Sequence, residues 1–231
     1  MPPIRTLLLL LVIAPGCTIA CTSFVEPRSV HVDSSTYDES RLIPYRTLVR
    51  ADFKAPCAPA AFAGNDVDVV TAALVRTGCC SISTRAAADS SYIEALVENL
   101  HFEARMSQNH SWWNPHRLVT AQALEHEQVH FALAELAARR ANARIVEIGA
   151  RIRARASSEP AAVRAARVHL QREVDRVQED LAAAHAEFDR DTANGRRLDR
   201  NHAWYENVRD ELERTAPRNP RALASLHRED F

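Results

Sequence analysis

The sequence predicts an α+β protein in which a small antiparallel sheet is followed by an α-rich half. Short runs rich in β-branched and aromatic residues occupy 45–106 and are bounded by Pro, Gly, Asn or Ser, as strands usually are. From 121 onward, apolar residues recur at helical spacing through three long segments that end near 214. We therefore expect four regions: a signal peptide at 1–20, a polar linker at 21–40, one folded domain at 41–214 and a flexible tail at 215–231.

Length and composition favour one globular domain and argue against a nucleic-acid-binding protein. The chain has 231 residues, of which 46% are hydrophobic and 26% are charged, which is enough for one large core. Its formal net charge is −1, whereas a nucleic-acid binder needs a surplus of basic charge on one face. We therefore expect no nucleic acid among its partners.

Residues 1–20 have the pattern of a bacterial signal peptide. Arg5 supplies a short positive segment, and the apolar run at 7–14 is too short for a permanent membrane span. The residues before Cys21, Thr-Ile-Ala, resemble the lipobox of lipoproteins, so Cys21 is the expected lipidation site. Lipidation at Cys17, which follows a poorly fitting Pro-Gly, and cleavage without lipid are the alternatives. We expect a periplasmic or outer-membrane lipoprotein, or a secreted protein, that contacts a membrane only through a lipid on Cys21.

The expected export bears on the three later cysteines, Cys57, Cys79 and Cys80. Exported proteins favour disulfides, so we expect Cys57 to pair with Cys79 or Cys80. A bond between the adjacent Cys79 and Cys80 would require a strained peptide and is the less favoured pairing. A metal site is a further alternative, but no C-x-x-C pair accompanies these residues.

Four segments before the first long helix are predicted strands: 45–53, 66–75, 79–84 and 96–106. The last alternates well enough to be an edge strand that leads into the helix, whereas 70–75 is equally compatible with a short helix. The loop 107–116 then carries Trp112 and Trp113. Either these rings line a substrate groove with His110 or His116, or, as we favour, one Trp packs into the core.

The first long helix is predicted around 121–140 and carries the motif His-Glu-x-x-His at His126, Glu127 and His130. Because an α-helix has 3.6 residues per turn, side chains four positions apart lie one above the other, and both imidazoles can bind one ion. Glu127 lies about 100° round the helix from His126. There it can take a proton from a metal-bound water without being a ligand. We predict His126 and His130 as zinc ligands and Glu127 as the catalytic base.

Two further helices are predicted after the motif. Apolar residues continue the first helix to about 156, and Ser157 or Ser158 caps a second helix that has Pro160 in its first turn. This second helix is expected to form an antiparallel hairpin with the first and to end at Asn194-Gly195. The seam of this hairpin has two rows with a spacing of seven residues: Val163, Leu170, Val177 and Ala184, and Arg167, Val174, Leu181 and Phe188. The third helix is expected at 198–214, with Trp204, Tyr205, Val208 and Leu212 facing inward.

The motif and its surroundings resemble the bacterial domain of unknown function 922 family, whose members are described as secreted zinc-dependent proteases. The family helix reads HEQ-x-HF with a downstream Glu and Ala-Arg, which are matched by His126, Glu127, Gln128, His130, Phe131, Glu135, Ala138 and Arg139. The family's Leu-x-x-x-Asp-Phe element resembles 48–53. Its Tyr-Asp-x-acidic-Thr-x-His-Gly signature with a later Trp resembles 188–195 with Trp204. The resemblance covers roughly 45–212 and implies a zincin-like fold that binds Zn²⁺.

The third metal ligand is left open by this resemblance. The family Tyr is Phe188 here, and the family His, a natural third ligand, is Asn194. Carboxamides are poor zinc ligands, so we expect a neighbouring residue to take this role. Asp191 is the first candidate, and its rivals are Asp189, His185 and His202.

These features together predict a secreted or lipid-anchored zinc-dependent peptidase that acts on a protein or peptide substrate. The main alternative is a catalytically degenerate envelope lipoprotein that serves as a binding or structural module, which the replacement at Asn194 favours. A weaker third hypothesis is a metal-dependent amidase that acts on cell-wall material.

Overall fold

The computed structural model describes residues 38–58, 68–78, 80–86, 91–116 and 120–216. The predicted signal peptide, all but the end of the linker, and the tail beyond 216 lie outside this part of the chain. The strands of the described residues are β1 (Leu42–Pro44), β2 (Val69–Val70), β3 (Ala73–Thr77), β4 (Ser81–Ala86), β5 (Ile93–Glu98), β6 (Phe102–Ser107), β7 (Trp112–Trp113) and β8 (Ala154–Ala156). The helices are α1 (Ala121–Ala143), α2 (Ile145–Ile152), α3 (Glu159–Thr192) and α4 (Leu198–Arg214).

The architecture is α+β, with small antiparallel sheets and an α-rich second half. One sheet has the order β1-β6-β3, a second has the order β4-β5-β8, and β2 pairs with β7. The expected single sheet is therefore divided. The register of the first sheet places Ile43 opposite Met106 and Val75 opposite Ala104. Helix α1 packs on this sheet and also contacts α3 and α4, so it lies at the centre of the core.

The segment 45–53 was predicted as a strand and is instead irregular, with a 3₁₀ turn at Arg50–Asp52. The strand lies earlier, at Leu42–Pro44. The cause is the buried carboxylate of Asp52, which accepts hydrogen bonds from the Val49 amide at 2.9 Å and from Arg46 Nη1 at 2.9 Å. A side chain that bonds nearby backbone stabilises a turn in competition with a sheet ladder.

The segment 96–106 was predicted as one edge strand and is divided between two sheets. Asn99 has a φ of 56°, a conformation that Asn tolerates better than most residues, and the chain leaves β5 there and enters β6. Strand β6 is central in its sheet, between β1 and β3. The ambiguous segment 70–75 belongs to strands β2 and β3 and not to a helix.

The first helix was predicted to continue to about 156, but α1 ends at Ala143. Arg144 has φ −105° and ψ 19°, and the shorter α2 starts directly after it. After this break, Ile148 and Ile152 are buried in the core and Ala154–Ala156 pairs with β5. Tertiary packing thus overrides a continuous helical pattern here.

Helices α3 and α4 agree well with the sequence prediction. Ser158 occupies the N-cap position of α3 but its side chain makes no capping hydrogen bond. Pro160 lies in the first turn, and the chain after Thr192 has positive φ at Ala193, Asn194 and Gly195. His126 near the start of α1 meets Asp189 near the end of α3, and the later residues Leu133 and Ala143 line one groove with Val177 and Ala184, which lie earlier in α3, so the two helices are antiparallel. Arg167 does not belong to the buried row, since the first half of α3 packs instead through Ala162 and Ala166 onto the second sheet.

Several predictions concern residues near the sheets. Trp113 packs on Phe53 with ring centroids 5.5 Å apart, which agrees with a core role for one Trp. His110 Nδ1 lies 2.7 Å from Ser107 Oγ, whereas His116 is exposed.

Cys57 is exposed and Cys80 is partly buried, but Cys79 lies outside the described residues, so the disulfide stays a prediction. Among the described helices, none is long and apolar enough to cross a membrane.

Candidate metal centre

Helix α1 presents two imidazoles side by side. His126 and His130 are 7% and 9% exposed, and their rings lie at 89° to one another with centroids 4.8 Å apart. The two Nε2 atoms are 3.2 Å apart. This is the arrangement expected of residues one helical turn apart, and it brings the two Nε2 atoms together.

Asp189, near the end of α3, completes a group of three ligand atoms. Its Oδ1 lies 3.2 Å from His126 Nε2 and 3.1 Å from His130 Nε2. The described residues contain this one group of three or more side chains that could hold a metal ion. The cluster of His126, His130 and Asp189 could therefore bind a cation.

The spacing of these three atoms fits a tetrahedral metal ion. With the Nε2–Nε2 distance of 3.2 Å, the three atoms form a nearly equilateral triangle. Three corners of a regular tetrahedron with edges of about 3.2 Å lie about 2.0 Å from its centre, and bonds from zinc to nitrogen or oxygen measure about 2.0–2.2 Å. The triangle has the size that such an ion requires.

The other predicted third ligands are not part of this group. Asp191, the first candidate, lies on another face of α3, where its Oδ2 accepts from Arg200 Nη2 at 2.6 Å and from Trp204 Nε1 at 2.8 Å. This carboxylate ties α3 to α4. His202 is exposed on α4, with its Nδ1 3.7 Å from Glu125 Oε1. The geometry thus brings Asp189 to the imidazoles and leaves Asp191 and His202 outside.

His185 lies one turn before Asp189 and close to the group without joining it. Its ring centroid is 4.8 Å from that of His130. Burial, with smaller contributions from His130 and His126, lowers the pKa of His185 to about 3, so its imidazole is neutral.

A hydrogen bond to a residue of α4 fixes the tautomer of His126. Asn201 of α4 is buried, and its Nδ2 donates to Glu125 Oε1 at 3.1 Å. A carboxylate only accepts, so the Asn201 Oδ1 must face His126 Nδ1, which lies 3.0 Å away. His126 Nδ1 therefore carries the proton, and Nε2 keeps its lone pair for a metal. Asn201 was not among the predicted site residues, although it lies seven residues before Val208 on the inward face of α4.

Aromatic and backbone packing holds the imidazoles in place. Phe188 is fully buried and stacks on His126 with ring centroids 4.4 Å apart, and it meets His130 edge-on at 5.0 Å. Gly195 has a φ of 76°, and a Cβ there would lie 3.2 Å from His126 Cγ. The turn after α3 therefore approaches the His126 ring so closely that a side chain at 195 would press on it.

The charges of the group suit a cation. Burial opposes ionisation of Asp189, but the hydrogen bonds from His126 and His130 hold its pKa below the ordinary value. For His126, burial lowers the pKa, but the hydrogen bond to Asp189, the charge of Glu127 and the hydrogen bond to Asn201 outweigh it and raise the pKa. A metal ion would therefore displace the Nε2 proton that His126 shares with Asp189. Asp189 is thus an ionised carboxylate, which is the form that binds metal.

Glu127 is close to the ligands without being one of them. It follows His126 in α1 and is 6% exposed, and its charge contributes, after the hydrogen bond to Asp189, to the raised pKa of His126. Its carboxylate is not one of the three ligand atoms. This is the placement expected of a base beside a metal site.

Comparison of the chain with protein-family models, with curated proteins and with solved structures gave no match.

Proposed function

We propose that this protein is a zinc-dependent hydrolase of zincin-like fold that cleaves amide bonds in peptides or proteins. The observation that carries the proposal is the triangle of His126 Nε2, His130 Nε2 and Asp189 Oδ1, with the buried Glu127 next to one of its members. Two imidazoles, one carboxylate and an adjacent base are the parts that metal-assisted hydrolysis needs.

The donor set supports zinc over the common alternatives. Calcium and magnesium prefer oxygen ligands, whereas two of these three donors are imidazole nitrogens. Catalytic zinc sites use three protein ligands and keep a position open for water or substrate. The side chain of Asp189 is 37% exposed, so the group is reachable from solvent on the Asp189 side.

Glu127 is the proton carrier of the proposed reaction. When bound, the zinc ion supplies Lewis acidity that brings the pKa of water toward neutrality and polarises the substrate carbonyl. A Glu127 carboxylate oxygen takes a proton from the water while the water oxygen adds to the carbonyl carbon. The same carboxylate then passes that proton to the amide nitrogen while the C–N bond breaks, which yields a carboxylic acid and an amine. The acid loses its remaining proton to solvent and leaves as a carboxylate.

The alternative hypothesis was a catalytically degenerate binding module. It was based on the absence of a third metal ligand. Asn194, which replaces the family His, is exposed. Asp189, five residues earlier, offers a carboxylate at 3.1–3.2 Å from both imidazoles. A carboxylate in this position supports the hydrolase over the module.

Export is the second part of the proposal, and it rests on the sequence alone. The basic and apolar segments of 1–20 and the lipobox-like residues before Cys21 support a periplasmic or outer-membrane lipoprotein, or a secreted protein. The peptidase would then act on substrates outside the cytoplasm.

Incubation of the zinc-loaded protein with a mixture of unlabelled peptides tests the activity. We expect mass spectrometry to show new carboxyl and amino termini, which a chelator abolishes and added zinc restores. A second incubation with purified cell-wall peptides separates a peptidase from a cell-wall amidase. A protein that holds zinc in stoichiometric amount and yet cleaves no amide bond in either mixture would contradict the proposal.

A further inference from the structure

The two faces of the second sheet differ in chemistry. One face packs through Ala95 and Ala154 on the first half of α3. Because successive side chains of a strand point to opposite faces, Glu94 and Arg155 lie on the other face. Arg85 of β4 and Arg155 of β8 are both paired with Glu94 of β5, so the three side chains share this outer face. The outer face of the second sheet therefore carries a charged cluster.

Glu94 lies at the centre of the cluster. Its side chain is 4% exposed, and its oxygens accept from Arg85 Nε at 2.8 Å and from Arg155 Nε at 3.1 Å. Arg153, two residues before Arg155 on the same face, has its Nε 3.8 Å from Glu94 Oε1. The hydrogen bonds from Arg85 and Arg155 hold the pKa of Glu94 below its ordinary value, so its carboxylate is ionised. One buried carboxylate thus brings three guanidinium groups together.

The cluster has more positive charge than Glu94 neutralises. Three guanidinium groups and one carboxylate leave a net charge of +2. The arginine side chains are 47–61% exposed. Among the described residues, no hydrogen-bond acceptor is bound to Arg85 Nη1, to the two Nη atoms of Arg155 or to the nitrogens of Arg153. Like charges held this close repel each other, and an anion bound between them would replace this repulsion by attraction.

Charge and geometry both favour a phosphate monoester as that anion. A phosphate monoester has a charge of about −1.5 to −2 near neutral pH, which balances the cluster, whereas a carboxylate or a phosphodiester has a single negative charge. Its terminal oxygens accept the paired N–H groups that a guanidinium offers. Glu94 and the ring of Tyr92, whose centroid lies 4.8 Å from Arg155 Cζ, restrain the guanidinium groups, so less side-chain freedom is lost on binding.

We propose that Arg85, Arg153 and Arg155 form a binding site for a phosphate monoester on the outer face of the second sheet. The site is separate from the metal centre, because Ala166, which packs under the sheet, and Asp189 lie about 35 Å apart along α3. The proposal therefore goes beyond the hydrolase and does not depend on it. The phosphate group belongs either to a soluble phosphate ester or to a lipid headgroup such as that of phosphatidic acid.

Calorimetric titration of the full chain with inorganic phosphate, at constant ionic strength and above the second pKa of phosphate, tests the site. We expect one phosphate per chain in the wild type and much weaker binding of acetate, which has a single charge. Arg153→Gln should raise the dissociation constant for phosphate about tenfold, since one charge-assisted contact is lost. This change leaves the hydrogen bonds of Glu94 to Arg85 and Arg155 in place. Arg85→Gln serves as the second variant if Arg153→Gln does not fold.

Arg209→Gln is the matched control. Arg209 lies on α4, its side chain is 49% exposed, and its Nη1 donates to Glu206 Oε1 at 2.9 Å. The change therefore removes the same charge from a similarly exposed position outside the cluster. In this variant, the dissociation constant for phosphate should stay at the wild-type value.

Flotation with lipid vesicles separates the two sources of the phosphate group. Vesicles of phosphatidylcholine measure any binding through a lipid on Cys21, and a second set also contains phosphatidic acid. If phosphatidic acid increases the binding of the wild type more than that of Arg153→Gln, the phosphate group is that of a lipid headgroup. If it makes no difference while the titration shows the expected loss, the ligand is a soluble ester.

Three results would refute the site and leave the proposed hydrolase untouched. The first is a wild-type protein that neither binds phosphate nor prefers vesicles with phosphatidic acid. The second is acetate binding as tight as phosphate binding. The third is an Arg153→Gln variant whose phosphate binding is weakened no more than that of Arg209→Gln.

Discussion

Replacement of Glu127 by Gln is expected to lower the rate of peptide hydrolysis about 10²–10⁴-fold, the contribution usual for a general acid–base group. Gln has the size of Glu but cannot take up a proton. Zinc content should stay at the wild-type level, since the Glu127 carboxylate is not among the three ligand atoms. Steady-state kinetics on the best peptide substrate and zinc analysis of the same sample measure both quantities.

Glu135→Gln is the matched control for this experiment. Glu135 lies on the same helix, and its Oε1 accepts from Arg139 Nε at 2.8 Å, away from the ligand atoms. The loss of the Glu135 carboxylate should leave the rate of peptide hydrolysis close to that of the wild type. A Glu127→Gln variant that retained full activity, or that lost zinc together with activity, would rule out the assigned role of Glu127 as base.

Replacement of Asp189 by Asn is expected to weaken zinc binding by more than about 100-fold, because the loss of a direct ligand exceeds the 10–100-fold effect of second-layer partners. The neutral carboxamide keeps the shape of the side chain but is a poor zinc ligand. Two imidazoles alone would then remain. Competition with a chromophoric chelator measures the change.

Asp191→Asn is the informative comparison, because sequence reasoning placed Asp191 first as the third ligand. Its carboxylate bonds Arg200 and Trp204, so its loss should lower the stability of the α3–α4 contact and leave zinc affinity close to the wild type. The opposite pattern, with zinc lost in Asp191→Asn and kept in Asp189→Asn, would show that the ligand assignment is wrong.

The relative positions of His126, His130 and Glu127 could be predicted from the sequence because all three residues lie on one helix. Once 121–140 is helical, His126 and His130 must lie on one face, and Glu127 must lie beside them. The third ligand could not be fixed in this way. Asp189 and Asp191 differ by about 200° around α3, and which of them faces α1 depends on how the two helices pack against each other. The sequence therefore limited the third ligand to a few candidate residues but did not identify which of them faces the two imidazoles.

The remaining differences have the same origin in long-range packing. The end of α1 at Ala143 depends on the burial of Ile148 and Ile152 and on the pairing of β8 with β5. The contact of Asn201 with His126 depends on how α4 packs against α1. Local pattern predicts which elements form, whereas strand order and helix rotation are decided by contacts between distant segments.

We infer that two imidazoles of α1 and a carboxylate of α3 hold one zinc ion. The most direct test is elemental analysis of the protein purified without chelators, with the wild type compared with His130→Ala. We expect one zinc per chain in the wild type and almost none in His130→Ala. A wild-type protein that lacks stoichiometric zinc, or a His130→Ala variant that holds as much zinc as the wild type, would contradict the claim.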